Sequence, residues 1–264
     1  MKWKVYVINL TTATIRRKFI KKQLKKIKYK NYEIVDAVNA FEIGEEWLQD
    51  QLDHTQLVKP MTGSLIACTL SHKLALEKFV ADDKLDYIVI LEDDALLPKD
   101  FVRIVESAIR YIGKGDVVML AGMLMEPFDY FPVKTIGKHT TLIEPADPYA
   151  RPFTTAAYLM SKEVAIRHLK VIYPVTDAPD SWEYYKRRGS IDNIYLTYPF
   201  AVDAEVFQSS RDHKSLKNTI VNWIIYYQVP FLYSFFKKRR RITEQERLQN
   251  VHIIRPPLVQ RQSV

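Results

Sequence analysis

A run of five apolar residues, Tyr87–Leu91, stops abruptly at the three carboxylates of Glu92–Asp94, and this junction narrows the possible folds more than any other part of the sequence. The run has no polar alternation, which is typical of a strand buried on both faces. Val5–Ile8 has the same character and ends at Asn9. Strands of this kind occur in sheets covered by helices on both sides, so we expect an α/β fold.

Helical patterns separate the strand-like runs in the first part of the chain. One helix, with apolar residues at i, i+4 and i+7, is predicted after the first strand, and another is predicted to start at Gly63. Tyr32–Val35 and 116–120 are further predicted strands. This alternation over residues 1–120 predicts an α/β sandwich with a mostly parallel central sheet.

The patterns weaken in the second part of the chain. Residues 122–153 are rich in Pro, Phe and Tyr and have little periodicity, which predicts a loop-rich excursion over the edge of the active site. Thr154–Met160 is a predicted strand, and Ser161 is expected to cap the helix that follows it.

Charge is distributed unevenly along the chain. The formal net charge is +8, yet residues 1–30 hold no carboxylate and the middle of the chain is acidic. Basic ends indicate contact with an anionic partner, either phospholipid or nucleic acid, and an acidic middle indicates a site for cations. The single cysteine, Cys68, fits a reducing compartment, and the N-terminal sequence lacks the features of a signal peptide, so export is not expected.

The C-terminal part has a composition of its own. From about Ile220 the chain is crowded with aromatic and aliphatic residues, which precede five consecutive bases, Lys237–Arg241. We expect residues 1–218 to form one domain and residues 219–264 to form an aromatic and basic helical tail. Polar residues interrupt the apolar run, so residues 219–241 are expected to lie on an anionic membrane surface rather than to cross it. The alternative is a helix that packs on the protein's own core and leaves its basic end in solvent.

The three carboxylates are the strongest candidates for chemistry. Ligands of open α/β sheets bind at the carboxyl ends of strands, which is where Glu92, Asp93 and Asp94 are predicted to lie. Adjacent carboxylates repel one another, so a hard divalent metal ion is the simplest compensating charge. In an extended segment residues i and i+2 point the same way, so Glu92 and Asp94 are expected to hold the metal while Asp93 points elsewhere. The alternative is an acidic turn or a helix cap before Asp100.

Five segments of the chain occur in the order and spacing of glycosyltransferase family 25. They are Val7–Leu10 with Arg16–Arg17, Val35–Ala37, Gly63–His72, Leu91–Ala95 and Thr155–Ser161. On these segments the chain resembles that family, which includes bacterial lipooligosaccharide galactosyltransferases, over residues 4–210. One departure is Ala157, which stands where the family usually has Gly.

The resemblance implies a GT-A-type, Rossmann-like fold and the inverting transfer of a hexose, galactose or glucose, from a UDP-sugar. It implies Mn²⁺ or Mg²⁺ as the cofactor, a lipooligosaccharide or lipopolysaccharide core as the acceptor, and a location on the cytoplasmic face of the bacterial inner membrane. A metal held by Glu92 and Asp94 would stabilise the negative charge that develops on the departing diphosphate.

Inversion by direct displacement also needs a carboxylate base near the acceptor hydroxyl. Asp180 is the first candidate and Asp177 the second, because both lie in an irregular stretch before Trp182, an aromatic residue that could stack on a sugar ring. For both aspartates the alternative is a turn or a helix cap. His213 is a further candidate metal ligand, which its flanking residues do not support.

The donor is expected to bind near the ends of the first two strands. Arg17 is expected to meet the diphosphate and Asp36 the uridine, and the alternatives are a solvated charge and a turn residue. His72 follows Ser71 in a helix with apolar neighbours, and the alternative for it is a hydrogen-bonded structural histidine. The donor-binding candidates are Asn9, Leu10, Arg17, Asp36, Ser71, His72, Asp93 and Thr155.

Two other functions compete with this interpretation. A metal-dependent phosphoryl-transfer enzyme would also use paired carboxylates, but the chain lacks a Gly-x-x-x-x-Gly-Lys phosphate loop. A non-enzymatic module that binds membrane or nucleic acid through its basic ends would leave Glu92–Asp94 unexplained. We therefore favour a glycosyltransferase and expect no nucleic acid among its partners.

Overall fold

A computed structural model describes residues 1–254 of the chain except residues 125, 149, 151, 206 and 208–215. Strands and helices alternate through its first part, as the sequence predicts. The elements are β1 (Trp3–Asn9), α1 (Thr14–Lys26), β2 (Tyr32–Asp36), α2 (Ala40–Ile43), α3 (Glu45–Gln49), α4 (Gly63–Ala81), β3 (Tyr87–Glu92), β4 (Ala95–Leu96), α5 (Phe101–Tyr111), β5 (Val117–Met119), β6 (Met123–Leu124), β7 (Phe128–Thr135), β8 (Thr141–Pro145), β9 (Pro152–Phe153), β10 (Ala157–Ser161), α6 (Lys162–Ile172), α7 (Trp182–Arg187), β11 (Ile194–Tyr198), β12 (Asp203–Ala204), α8 (Leu216–Tyr227), α9 (Leu232–Gln249) and β13 (Val251–Ile253).

The central sheet has nine strands in the order β13-β7-β8-β11-β5-β10-β3-β1-β2. Their pairings make seven of the strands run in one direction, while β8 and β10 run in the other. The expected α/β fold with a mostly parallel central sheet is therefore confirmed. Two small pairs, β4 with β12 and β6 with β9, lie outside this sheet.

Two apolar cores cover the two faces of the sheet, because successive side chains of a strand point to opposite faces. In β3, Val89 and Leu91 belong to the core that includes residues of α1 and α5, whereas Ile88 and Ile90 belong to the core that includes residues of α4 and α6. All four side chains are fully buried. The continuous apolar run of β3 therefore reflects a strand placed between two layers of helices.

The parallel pairing of β1 with β2 and β3 positions the site. Ile8 lies opposite Glu92 on one side of β1, and Asn9 lies opposite Asp36 on the other. Parallel strands carry their carboxyl ends to the same edge of a sheet. The polar residues that follow these three strands therefore meet at one edge, although they are far apart in the chain.

The expectation that residues 122–153 form a loop-rich excursion is wrong. β7 and β8 form an antiparallel hairpin that joins the central sheet beside β11, with a shift of register between Pro132 and Lys134. Only one residue of β7, Tyr130, is buried, so the strand has little of the apolar periodicity by which strands are recognised. Its conformation depends on pairing with β8, which a local pattern does not reveal.

Residues 216–254 fold back onto the rest of the protein. Ile225 of α8 is fully buried, and the Nζ atom of Lys22 in α1 lies 5.4 Å from the ring centroid of Tyr226. After α9 the chain returns to the central sheet, where β13 pairs in parallel with β7. The division of the chain at residue 218 stays a prediction. In the part of the chain that the structure describes, no helix is both long and apolar enough to cross a membrane.

Candidate active site

A cavity of about 410 Å³ opens where β1 and β3 end. Its walls come from β1, α1, the segment after β2, α4, the segment after β12 and the three carboxylates Glu92–Asp94, which we call the acidic cluster. This is the carboxyl edge of the sheet, where α/β folds bind their ligands. The lining residues are Ile8, Asn9, Leu10, Arg16, Ala37, Val38, Asn39, Ala40, Phe41, Ser64, Ala67, Cys68, Ser71, His72, Glu92, Asp93, Asp94 and Phe207.

Among the described residues, Arg16 is the cation that pairs with the acidic cluster. Its Nη2 atom is 2.8 Å from Oδ2 of Asp94 and forms a second ion pair with Oδ1 of Asp93. Asp93 also accepts a hydrogen bond of 2.6 Å from Nδ2 of Asn9. Helix α1 and strand β1 thus hold two of the three carboxylates in place.

The expectation that Asp93 points away from its two neighbours is wrong, because all three carboxylates line the cavity. Strand geometry ends with Glu92, and Asp93 and Asp94 form a turn between β3 and β4. Side chains alternate between two faces only where the backbone is extended, so the rule that separated Asp93 does not apply beyond Glu92.

Burial and mutual repulsion make the ionised forms of the acidic cluster unfavourable. The pKa of Glu92 is raised to about 7, first because its side chain is desolvated and second because of the charge of Asp94. The hydroxyl of Thr155 donates a hydrogen bond of 2.7 Å to Oε1 of Glu92, which only partly offsets this rise. The pKa of Asp93 is raised to about 6, again chiefly by burial. One guanidinium therefore does not neutralise three carboxylates of which one is buried and two are half-buried, and the cavity favours a bound cation or a proton.

Four buried polar atoms of the cavity lining have no hydrogen-bond partner among the described residues. They are Oδ1 of Asn9, Nε of Arg16, Nε2 of His72 and Oδ1 of Asp94. Each unsatisfied buried polar group costs about 1–3 kcal/mol, so folds seldom retain several of them without a ligand. The two Oδ1 atoms accept hydrogen bonds, whereas Nε of Arg16 donates one. A ligand that satisfies this lining must therefore bring positive charge or donors together with accepting oxygen atoms.

Ser71 and His72 occupy different places in the cavity wall. The hydroxyl of Ser71 accepts a hydrogen bond of 2.9 Å from the backbone N–H of Val38, so Ser71 fixes the segment after β2. Nδ1 of His72 is 2.9 Å from the hydroxyl oxygen of Tyr158. Burial, with a smaller contribution from the charge of His168, lowers the pKa of His72 to about 3. His72 is therefore neutral near neutral pH and cannot act there as a cation for the acidic cluster.

The other predicted donor-binding residues lie in and around the cavity. Leu10 lines it, whereas Thr155 reaches it only through its hydrogen bond to Glu92. Arg17 and Asp36 form an ion pair with each other beside the cavity lining, and their side chains are 30% and 61% exposed. The sequence motif contains both Arg16 and Arg17. The position of each residue on α1 decides that Arg16 faces the carboxylates, and that Arg17 meets the diphosphate stays a prediction.

The aspartates predicted to act as the base lie outside the cavity lining. Asp177 is buried, its Oδ1 atom accepts a hydrogen bond of 2.7 Å from the backbone N–H of Ala178, and Nζ of Lys59 is 3.8 Å away. Asp180 is half-buried in the turn before α7. Which of them is the base stays a prediction.

The expectation that Trp182 stacks on a sugar is wrong, because its side chain is only 1% exposed. Its indole N–H donates a hydrogen bond of 3.0 Å to the carbonyl oxygen of Thr154. The next residue, Thr155, binds Glu92, so this contact holds the turn that contains Asp180 against the segment that supports the acidic cluster. Trp182 is a structural anchor of the site.

The metal ion stays a prediction. No group of three or more His, Cys, Asp and Glu side chains within the described ranges has the arrangement of a metal-binding set. His213 lies outside the described residues. Glu92 and Asp94 share one cavity, and Oδ1 of Asp94 is buried without a partner there.

The fold and the cavity define a class of protein: an α/β protein with an acidic ligand site at the carboxyl edge of its sheet. The chain belongs to glycosyltransferase family 25 (LPS biosynthesis protein), whose model matches residues 2–182. This confirms the family that the sequence motifs indicate, and it makes the protein a glycosyltransferase. The matched residues include the acidic cluster and the predicted donor-binding residues, whereas α8 and α9 lie beyond them.

No curated protein matches the chain. Among solved structures, the chain is similar to a glycosyltransferase involved in the glycosylation of the major capsid of PBCV-1, with 8% identity and a TM-score of 0.38 over 74% of this chain and 81% of that chain. It is also similar to the inositol-1-phosphate CTP transferase from T. maritima, with 14% identity and a TM-score of 0.36 over 74% of this chain and 84% of that chain. Structural similarity as weak as this does not indicate the function of the chain.

Proposed function

We propose that this glycosyltransferase transfers a hexose from a UDP-sugar, with galactose as the first candidate and glucose as the second, to the glycan of a lipooligosaccharide or lipopolysaccharide. Transfer inverts the anomeric carbon and depends on Mn²⁺ or Mg²⁺. The observation that carries the proposal is the acidic cluster itself. Its three carboxylates lie at the carboxyl end of β3 and face a cavity, with Asp93 buried and Glu92 and Asp94 half-buried. Two of them have raised pKa values, and among the described residues one guanidinium pairs with the cluster.

The donor atoms present fit a hard divalent cation. Glu92 and Asp94 offer carboxylate oxygens, and magnesium sites in proteins commonly combine one or two carboxylates with phosphate oxygens of the substrate and water. When bound, the metal supplies positive charge that offsets the charge developing on the departing diphosphate. Asp93 is already engaged by Asn9 and Arg16, so it supports the site without being needed as a ligand.

The residues around the acidic cluster suit the phosphate and sugar oxygens of the donor. Nε of Arg16 is an unpaired donor in the cavity lining, and its guanidinium brings a permanent positive charge to the diphosphate. Neutral His72 leaves Nε2 available for one hydrogen bond. Ser71 holds the segment after β2 in place. That segment and Leu10 line one wall of the cavity, and we assign this wall to the nucleoside of the donor.

Asp180 is the base in this proposal, and it accepts the proton of the acceptor hydroxyl as the new glycosidic bond forms. It is half-buried, and Trp182, two residues further on, donates a hydrogen bond to the carbonyl oxygen of Thr154, the residue before the one that binds Glu92. Asp177 is the weaker candidate, because its Oδ1 atom already accepts a hydrogen bond from its own backbone neighbour and the residue is buried.

The acceptor is proposed to be a lipid-linked glycan at the cytoplasmic face of the bacterial inner membrane. Residues 219–241 would hold the enzyme there, since α8 and the start of α9 expose Trp223, Tyr227 and Phe235 to solvent. Aromatic side chains favour the headgroup region of a bilayer, and neighbouring bases favour anionic lipids.

The test is turnover of a panel of UDP-sugars by the wild-type protein and by Asp94→Asn, with Mn²⁺ or a chelator. We expect one UDP-sugar to be consumed only with metal, and we expect kcat/KM of the variant to fall by about 10²–10³. Asp83→Asn is the matched control, because Asp83 is fully exposed and does not line the cavity. Cleavage inside the diphosphate rather than at the sugar would instead identify a phosphoryl-transfer enzyme, and full activity of Asp94→Asn would refute the assigned role of the acidic cluster.

A further inference from the structure

Helix α9 presents an apolar and basic stripe to solvent. Phe235, Lys238 and Ile242 recur at i, i+3 and i+7, so they fall on one side of the helix, and Phe231 directly precedes its first residue. Phe231 is 90% exposed, Phe235 is 67% exposed and Ile242 is 48% exposed. We call these four residues the α9 stripe.

Tyr233 lies on the opposite side of α9 and links the helix to the cavity. Its hydroxyl donates a hydrogen bond of 2.9 Å to Oε2 of Glu205, a residue that is buried. The backbone N–H of Glu205 donates a hydrogen bond of 2.8 Å to the carbonyl oxygen of Asp94. Two successive hydrogen bonds therefore connect α9 with the acidic cluster.

The segment around Glu205 is part of the cavity wall. β12 pairs with β4, which directly follows the acidic cluster. Phe207 lines the cavity and packs edge-on against Phe19 of α1, with 5.0 Å between the ring centroids. A change in how firmly α9 is held would therefore reach the wall of the site through Glu205.

The chemistry of the α9 stripe fits an anionic phospholipid surface. Aromatic rings favour the interface of a bilayer, and Lys237, Lys238 and Arg239 are exposed directly after Phe235 and Phe236. Phe231 has a φ of 66°, a left-handed conformation that is unfavourable for a bulky residue. An unfavourable backbone that displays an aromatic ring to solvent is consistent with selection for a contact made by that ring.

We propose that the α9 stripe docks on anionic phospholipid and that docking stabilises the cavity wall through Tyr233 and Glu205. The inference rests on the membrane association proposed above and adds a regulatory link between the membrane and the site. A surface that restrains α9 also restrains Tyr233, which lowers the frequency with which the backbone hydrogen bond of Glu205 to Asp94 opens. The donor site is then best formed where the lipid-linked acceptor is found.

Two measurements test the proposal on the full-length protein. Cosedimentation with phosphatidylcholine vesicles, with or without phosphatidylglycerol, measures docking, and amide hydrogen exchange of peptides covering 94–96 and 203–207 measures the stability of the wall. We expect the wild type to bind the anionic vesicles, and we expect exchange at Glu205 to slow by about fivefold on binding. Phe235→Ser is expected to lower partitioning by about tenfold. Tyr233→Phe is expected to bind vesicles like the wild type and to lose the slowing.

Controls separate these effects from misfolding and from the transferase reaction. Trp47→Ser removes an exposed aromatic residue of α3 and should leave both measurements unchanged. Lys238→Glu tests the charge of the α9 stripe if Phe235→Ser folds poorly. Vesicle binding without slowing, or slowing that persists in Tyr233→Phe, would overturn the link. Equal binding to neutral vesicles, or self-association that Phe235→Ser abolishes, would overturn the choice of partner. Neither measurement requires sugar transfer, so failure of the proposed enzymatic activity would be recognised separately.

Discussion

The acidic cluster at the end of β3 and the aspartates before α7 differ in how their carboxylates are satisfied. Oδ1 of Asp94 is buried in the cavity lining without a partner among the described residues, and the pKa of Glu92 is raised to about 7. Oδ1 of Asp177, in contrast, accepts a hydrogen bond from the N–H of Ala178 and has Lys59 nearby. Asp180 lies half-buried in a turn.

The difference distinguishes carboxylates that stabilise the fold from carboxylates that are suited to bind a ligand. A buried carboxylate with local donors stabilises its own turn, whereas buried carboxylates with too few donors are unfavourable until a ligand arrives. Several unsatisfied polar atoms in one cavity therefore indicate binding more directly than the presence of acidic residues does.

Removal of the Arg16 guanidinium should have the largest effect on stability. Arg16→Met leaves Asp93 and Asp94 without their cation, and breaking a buried ion pair by removing one partner costs about 3–5 kcal/mol. Arg17→Met is the matched control, because its partner Asp36 is 61% exposed and the pair is expected to contribute at most about 1 kcal/mol. Urea unfolding of both variants at neutral pH measures the difference. Equal losses would mean that the position of Arg16 beside the acidic cluster is unimportant for folding.

The two aspartates before α7 should separate catalysis from stability. Asp180→Asn is expected to lower kcat by about 10²-fold or more, because it removes the proposed base, and to leave the melting temperature unchanged. Asp177→Ala is expected to lower the free energy of unfolding by about 1–2 kcal/mol, because the N–H of Ala178 loses its acceptor, with little effect on kcat. Steady-state kinetics measure kcat of both variants, and thermal unfolding measures their stability. A stable Asp180→Asn enzyme with wild-type kcat would make Asp180 a turn residue.

The metal-free protein should become less stable as the pH rises from about 4.5 to about 7. The pKa of Glu92 is raised to about 7 by burial, so the folded protein binds more protons than the unfolded chain within that range, and the free energy of unfolding falls with pH. The loss attributable to Glu92 is on the order of 2–3 kcal/mol. Glu92→Gln cannot ionise and should make the profile shallower, leaving the part due to Asp93, whose pKa is raised to about 6, whereas the exposed Glu46→Gln should not change it. Chemical denaturation in a chelator across this range tests both expectations, and identical slopes would contradict the raised pKa.

Local patterns were sufficient for the elements that carry strong periodicity. The apolar runs of β1 and β3 and the helical pattern of α4 appear in the structure close to their predicted bounds. The side chain of Ser161 caps α6 as expected, since it accepts a hydrogen bond from the N–H of Val164. These features depend on neighbours in the sequence, which a local pattern contains.

The residues of the site were only partly predictable. Glu92, Asp94, Asn9 and Leu10 all line the cavity, because each follows or ends a buried strand. Arg16 was in the recognised motif but was not chosen, and its selection over Arg17 required the phase of α1. Phe207 had no sequence signal at all, since it reaches the cavity through the pairing of β12 with β4.

Sequence alone established the α/β class, the glycosyltransferase family and the strand that delivers the acidic cluster, because strand and helix periodicity and ordered motifs are local properties. The tertiary structure decided which side chains meet. Asn9 and Asp93 are 84 residues apart and hydrogen-bond only because β1 and β3 are adjacent in the sheet. The hairpin of β7 and β8, the burial of Trp182 and the return of β13 to the sheet likewise arise from pairing and packing between distant segments, whose energies no local pattern records.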